Sequence, residues 1–548
     1  MKRLALVVLL LLVWVTPAEA GRIGSATPAE AARTASAAAA QTYYPIRGSG
    51  SSWSENAIKQ WIADASTIGL PVSYSGSGSS AGRLDFAQKM NDFAVSEIPF
   101  QGIDPTTGNA DNSNGRPFAY MPIVAGGTAF MYKITINGQL VRDLRLRGET
   151  VTKIFTGAIT DWSDDQITAD NNGRRLPAKR IVPVVRSDGS GTTAQFTLWM
   201  SKQHPGQYCP FFAEHVDPAK ACGLTSYYPT FGNAVGQVGS SQMAGYISAQ
   251  YGEGTIGYVE YSYARALNYP VAKVKNAADY FTEPTDTNVA VALQYARIEQ
   301  DPAKETYLTQ ILDDVYNSGD ARTYPLSSYS YMILPISEDG KITTDSGRSL
   351  AKFARDFLCQ GQQHMGKLGY SPLPLNLVRA GFEQVTKVPG AEQATLTPNQ
   401  CHNPTFDPND PDSNLLAKNA PMPEDCDKVG QGPCGVGGGS DQSGRQGQNG
   451  DQSRDGQNGQ PGSVDNDGDG IPDVIAGVDP VTGQPLGEGL ADNGTTPGSA
   501  TELAAVRSEG MDTALAVLAA VELVLVLVVP TFVARAVRRR RARQGSEL

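Results

Sequence analysis

Apolar residues in this chain fall into short continuous runs, each closed by a Gly/Ser turn and followed by apolar positions at helical spacing. Ile181-Val182-Pro183-Val184-Val185 reads as a strand, Arg186 to Thr193 as a turn, and Phe196, Trp199 and Met200 as one face of a helix. The unit recurs upstream. Gly48 to Trp53 precedes a helix marked by Ile58, Trp61, Ile62 and Ala65. Pro71 to Tyr74 reads as a strand, and Gly76 to Gly82 opens a helix through Leu84, Phe86 and Met90. Asp92 to Phe100 is strand-like and carries Glu97 near its end. Met121 to Tyr132 is a long apolar strand broken by glycine, suited to crossing between lobes, and Val151 to Trp162 is a helix and turn. Alternating strand, turn and helix predict an α/β fold.

The turns carry the candidate chemistry. The first backbone N–H groups of a helix lack intrahelical partners, and the macrodipole places partial positive charge there. Gly189 and Gly191 let the backbone approach a ligand, Ser190 and Thr192 add hydroxyls, and Arg186 adds a planar cationic fork that Asp188 can orient from behind. An ordinary capped helix start explains the same octet. Three such turns together with Arg186 favour an oxyanion site.

Glu97 fits that site if the anion carries a proton, because a carboxylate accepts a hydrogen bond but repels an oxyanion with none to offer. Monohydrogen phosphate has such a proton and sulfate does not. A solvated charge at a strand end is the other reading of Glu97.

At 548 residues the chain suits one two-lobed module with accessory segments. A net charge of -11 argues against nucleic-acid binding. Lys2, Arg3, the apolar run Leu4 to Val15 and Ala18-Glu19-Ala20 read as a secretory signal peptide over 1–20, followed by a spacer over 21–42. Six cysteines in an exported chain point to disulfides whose pairing sequence does not settle. The neighbour pairs are Cys209 with Cys222, Cys359 with Cys401, and Cys426 with Cys434. No C-x-x-C occurs, and His204, His215, His364 and His402 lack metal-ligand spacing.

Beyond about Pro398 the composition turns to Gly, Asn, Gln, Asp, Ser and Pro, which reads as a disordered linker over 399–512. Within it Asp465, Asp467, Asp469 and Asp473 resemble a calcium loop, although Ala476 stands where the bidentate Glu belongs; a solvated linker fits the same residues. Ala514 to Val533 is apolar, and residues 513–534 are expected to form one membrane helix with Glu522 in mid-span. The arginine-rich 535–548 then lies in the cytoplasm and the lobes lie outside.

The chain resembles the phosphate-binding protein of bacterial high-affinity phosphate ABC transporters. The likeness runs through Gly48 to Trp53, Gly76 to Gly82, Ser96-Glu97, Ile154-Phe155-Thr156-Gly157 with Asp161-Trp162, Arg186 to Thr193, Ile256 to Tyr261 and Tyr331 to Leu334. The resemblance implies a type II periplasmic-binding-protein-like fold, with lobe I over 43–125 and 327–398 and lobe II over 126–326, closing on inorganic phosphate. By position it implies donation from Ser52, Trp53, Ser79, Arg186, Ser190, Gly191 and Thr192, with Asp188 bracing Arg186 and Glu97 accepting the phosphate proton. It implies no cofactor, and a permease as partner. Two positions depart from the family pattern. Ser52-Trp53 replaces Thr-Phe, and Glu97 replaces Asp, which moves the acceptor by about one carbon–carbon bond. The expected function is phosphate capture by a membrane-anchored receptor that is not an enzyme. The alternatives are a surface scaffold or oxyanion sensor, and a phosphatase using Ser190.

Overall fold

A computed structural model describes residues 43–104 and 107–434. In chain order the elements that position the cleft are β1 (Ile46–Gly50), α1 (Glu55–Thr67), β2 (Val72–Ser75), α2 (Ser79–Ala87), β3 (Phe93–Ser96), β4 (Phe118–Tyr132), β5 (Val182–Arg186), α3 (Gly191–Gln203), β6 (Val235–Gln237), α4 (Gly239–Ser248), β7 (Thr255–Glu260), α5 (Tyr261–Ala266), β8 (Val271–Lys275), α6 (Asp286–Leu293), β9 (Ser327–Pro335) and α7 (Thr344–Cys359).

One sheet runs in the order β6-β5-β7-β4-β9-β3-β1-β2. The parallel pairs β1–β2, β1–β3, β5–β6 and β5–β7 lie at its ends, and antiparallel pairs join them through the middle. β4 belongs to both halves. Phe118 to Gly127 pair with β9, and Thr128 to Tyr132 pair with β7. Every residue from Tyr120 to Tyr132 is buried, as a strand covered on both faces requires. At the handover a Cβ on Gly126 would lie 2.8 Å from the Trp53 ring, and one on Gly127 would lie 2.3 Å from Pro284 Cβ. The glycines that interrupt the apolar run therefore admit close packing without ending the strand.

α2 differs from its expected face. Phe86 is buried, but Leu84 is 50% exposed and Met90, 66% exposed, lies beyond the helix end. The helix instead turns Ser79, Gly82, Arg83, Phe86 and Ala87 inward, because its Gly82 meets β1 backbone: a Cβ there would stand 2.3 Å from Gly50 Cα. Backbone-to-backbone contact, which hydropathy does not register, sets the rotation of this helix.

Residues 399–434 correct the expected start of the linker. Cys401 is bonded to Cys359 on α7, and Asn403 Nδ2 and Thr405 Oγ1 donate to Leu373 O. Short helices follow at Pro398–Cys401 and Leu415–Lys418, where Ala417 and Ala420 pack on Ala290 and Val291 of α6. Lys273 on β8 then binds both oxygens of Asp427 at 2.8 and 2.7 Å, and Arg145 Nη1 donates to Cys426 O. A polar composition is thus held by covalent and ionic pins instead of a core of its own. Cys209–Cys222 and Cys426–Cys434 are the other disulfides.

Among the described residues no helix is long and apolar enough to cross a membrane. The expected spanning segment 513–534, the signal peptide 1–20, the spacer 21–42, the Asp465 to Asp473 loop and the basic tail 535–548 all lie outside the described residues.

Candidate functional site

Helix starts converge where the two halves of the sheet meet. α3 begins directly after β5, so the turn projects Arg186 to Thr192 toward the turns after β1 and β2. Arg186 is 2% exposed; its Nε donates to Asp188 Oδ1 at 2.7 Å, and its Nη2 binds Asp188 Oδ2. Asp188 Oδ1 also accepts Gly239 N–H at 3.0 Å, tying the guanidinium to the start of α4. Ser190 caps α3 by accepting Thr193 N–H at 3.1 Å. The Thr192 hydroxyl is buried without a hydrogen-bond partner.

The turns after β1 and β2 complete the arrangement. Ser79 Oγ donates to Glu97 Oε2 at 2.9 Å and accepts Gly191 N–H at 3.1 Å. Ser52 Oγ accepts Ser240 N–H at 3.0 Å and lies 3.2 Å from Ser240 Oγ. The Trp53 N–H is directed inward, donating to Ser51 Oγ at 3.0 Å, while Trp53 O accepts from Tyr370 at 2.6 Å. The expected ligand donor at Trp53 is therefore engaged within its own turn. Ser80 N–H donates to Gly189 O at 3.1 Å and Gln195 Nε2 to Glu97 O at 2.8 Å, so the start of α2 and the end of β3 touch the β5–α3 unit directly.

Two buried carboxyls give the site its electrostatics. Burial pushes Glu97 above the ordinary carboxyl range, and hydrogen bonds from Ser51, Ser79 and Ser330 oppose that rise. Burial pushes Glu260 up to about 8, against its hydrogen bonds with Ser262 and Tyr370. Glu260 Oε2 accepts Ser262 N–H at 2.7 Å as the cap of α5, and Oε1 is buried without a partner. Glu260 pairs with Thr128, at the point where β4 changes partner.

Sequence reading missed Ser240 and Ser330. Gly239-Ser240-Ser241 is a fourth Gly/Ser helix start, and the pattern that marks the other three would have found it. Ser330 sits in an apolar strand with no such mark.

A sheet whose strand β4 passes from one half to the other, with several helix N-termini and a braced arginine converging where the halves meet, defines an α/β binding protein of the periplasmic-binding-protein type. A family model described as a PBP superfamily domain matches residues 32–358. Phosphate-binding protein PstS 2 of Mycobacterium tuberculosis is 30% identical over 340 residues, spanning 60% of this chain and 83% of that relative. Phosphate-binding protein PstS of Methanocaldococcus jannaschii is 27% identical over 353 residues, spanning 63% of this chain and 86% of that relative. A solved phosphate binding protein from Stenotrophomonas maltophilia aligns at 17% identity with a TM-score of 0.47, covering 62% of this chain and 93% of that one. The chain belongs to the PBP superfamily and, within it, to the phosphate-binding proteins of phosphate ABC transporters.

Proposed function

We propose that this chain is an extracytoplasmic solute-binding protein that captures inorganic phosphate between its lobes and hands it to an ABC permease, tethered by a membrane helix over 513–534. The observation that carries the reading is the juxtaposition of Ser79, Glu97 and Gly191. Ser79 and the Gly191 N–H supply donors from opposite lobes, and the carboxylate between them suits only an anion that brings a proton. Arg186, held by Asp188, supplies the charge, and the unpartnered Thr192 hydroxyl supplies a further donor.

Closure would exchange the present contacts among Ser52, Ser79, Gly191 and Ser240 for contacts to the oxyanion. The type II arrangement expected from the resemblance is supported by β4, which pairs with β9 in one half of the sheet and with β7 in the other. Ser190 Oγ, the nucleophile a phosphatase would need, caps its own helix. The apolar 514–533 run followed by the arginine-rich tail supports the tether.

Calorimetric titration of the purified full chain with phosphate and then sulfate tests the capture. Heat with phosphate, none with sulfate, and none with phosphate for Arg186→Ala are expected. Absence of phosphate binding, by calorimetry and by equilibrium dialysis with labelled phosphate, overturns the reading. Membrane fractionation of cells, with the lobes cleaved by external protease, tests the tether.

A further inference from the structure

Glu97 is longer than the acid its family typically carries, and the chain contains a device that accommodates it. The β9–β3 pairing sets Tyr331 opposite Ser96, so the next pair along places Ser330 beside Glu97. Ser330 Oγ donates to Glu97 Oε1 at 2.9 Å while Ser79 Oγ donates to Oε2 at 2.9 Å, one hydroxyl on each carboxylate oxygen. Ser330 and Ser54 are both fully buried, with hydroxyls 3.0 Å apart. Ser330 Oγ also lies in donating geometry toward Ser54 Oγ, so its single proton is shared between that hydroxyl and Glu97.

The strand is shaped for this contact. β9 shifts register against β4 between Ser330, which faces Val124, and Tyr331, which faces Pro122. Proline has no N–H for a ladder bond, and such irregularities re-aim side chains. The Glu97 carbonyl is held as well, by Gln195 Nε2 from α3 and by Gln310 Nε2 at 3.2 Å. The Ser51 hydroxyl also bonds Glu97, and the Tyr74 phenol, which donates to Ser51 O, lies close enough to feel its charge.

We propose that Ser330 is a specificity-determining positioning residue: it holds the Glu97 carboxylate as a pure acceptor, so that the cleft takes protonated phosphate and rejects fully deprotonated oxyanions such as sulfate. The proposal rests on the phosphate reading above. The physical reason is the donor count. When Ser79 turns to the phosphate, the Ser330 hydroxyl stays on Oε1 with Ser51 beside it, and the lone pairs released toward the cleft can only accept. Without Ser330, one of the hydrogen bonds that oppose burial is lost, which shifts Glu97 toward the acid form, and that form can donate to sulfate.

The test uses the full chain and its Ser330→Ala, Ser330→Cys and Ser330→Thr variants. Phosphate and sulfate affinities are measured for each, with thermal melts as a folding control. The ratio of phosphate to sulfate affinity is expected to fall by about tenfold or more in Ser330→Ala, less in Ser330→Cys, and to recover in Ser330→Thr, because loss of a hydrogen bond to a charged group weakens selective binding on that scale. A folded Ser330→Ala or Ser330→Cys with the wild-type ratio overturns the proposal. Infrared spectra, with the Glu97 band assigned by its loss in Glu97→Gln, separate the two levels of inference. A carboxylate band in wild type that becomes an acid band in Ser330→Ala supports the hold on Glu97 even if phosphate does not bind. An unchanged band overturns it.

Discussion

Gly191 and Glu97 stand so close that a Cβ added at Gly191 would lie 2.1 Å from Glu97 Oε2. The carboxylate cannot swing aside freely, because Ser79 and Ser330 hold its two oxygens. Gly191→Ala is therefore expected to weaken phosphate binding by at least about tenfold, the effect of forcing lobes apart by a fraction of an ångström at a site built on positioning. Adding Glu97→Asp, which withdraws the acid by one methylene, should restore part of the loss. Calorimetry on the single and double variants measures the coupling, and additive losses would contradict it.

Glu97→Gln changes the acceptor into a group that also donates. Phosphate affinity should fall by about 10- to 100-fold, the range for losing a hydrogen bond to a charged partner, while sulfate binding becomes measurable. Competition between labelled phosphate and unlabelled sulfate reads both changes in one experiment.

Glu260 predicts a pH dependence of folding. Burial raises its carboxyl from the ordinary 4.5 to about 8, so between those values the folded chain keeps a proton that the unfolded chain has released. Its contribution to stability is full below the unfolded value and is lost as pH rises through the folded one. Glu97 acts in the same direction. One proton changes stability by at most about 1.4 kcal/mol per pH unit. Urea midpoints should fall from pH 5 to pH 8, and Glu260→Gln should flatten that slope and be the more stable protein at pH 8.

The segment ending at Cys434 is pinned first to α7 by Cys359–Cys401 and later to β8 by the Lys273–Asp427 ion pair. Replacing Cys359 and Cys401 by serine opens a loop of 42 residues. The expected loss is about 4 kcal/mol by the chain-entropy account. Limited proteolysis should then cut within 402–425 in the double variant and spare the wild-type protein.

The anion-directed turns were legible in the amino-acid sequence because their chemistry is local. Arg186, Asp188, Ser190, Gly191 and Thr192 sit within one turn, and a strand followed by Gly/Ser and a helical apolar face sends unpaired N–H groups outward wherever it occurs. Ser240 shared that local pattern. Ser330 did not: it meets Glu97 across 233 positions, through the register of β9 on β3 and a shift beside Pro122. The exposure of Leu84 likewise followed from Gly82 touching the Gly50 backbone, and the order of residues 399–434 followed from pins at Cys359 and Lys273. Sequence by itself determined which residues could cap, donate and accept, since bond geometry and side-chain chemistry travel with the residue. Only the tertiary structure decided which acid faces which hydroxyl, because strand register and interlobe contact are properties of the whole packed chain.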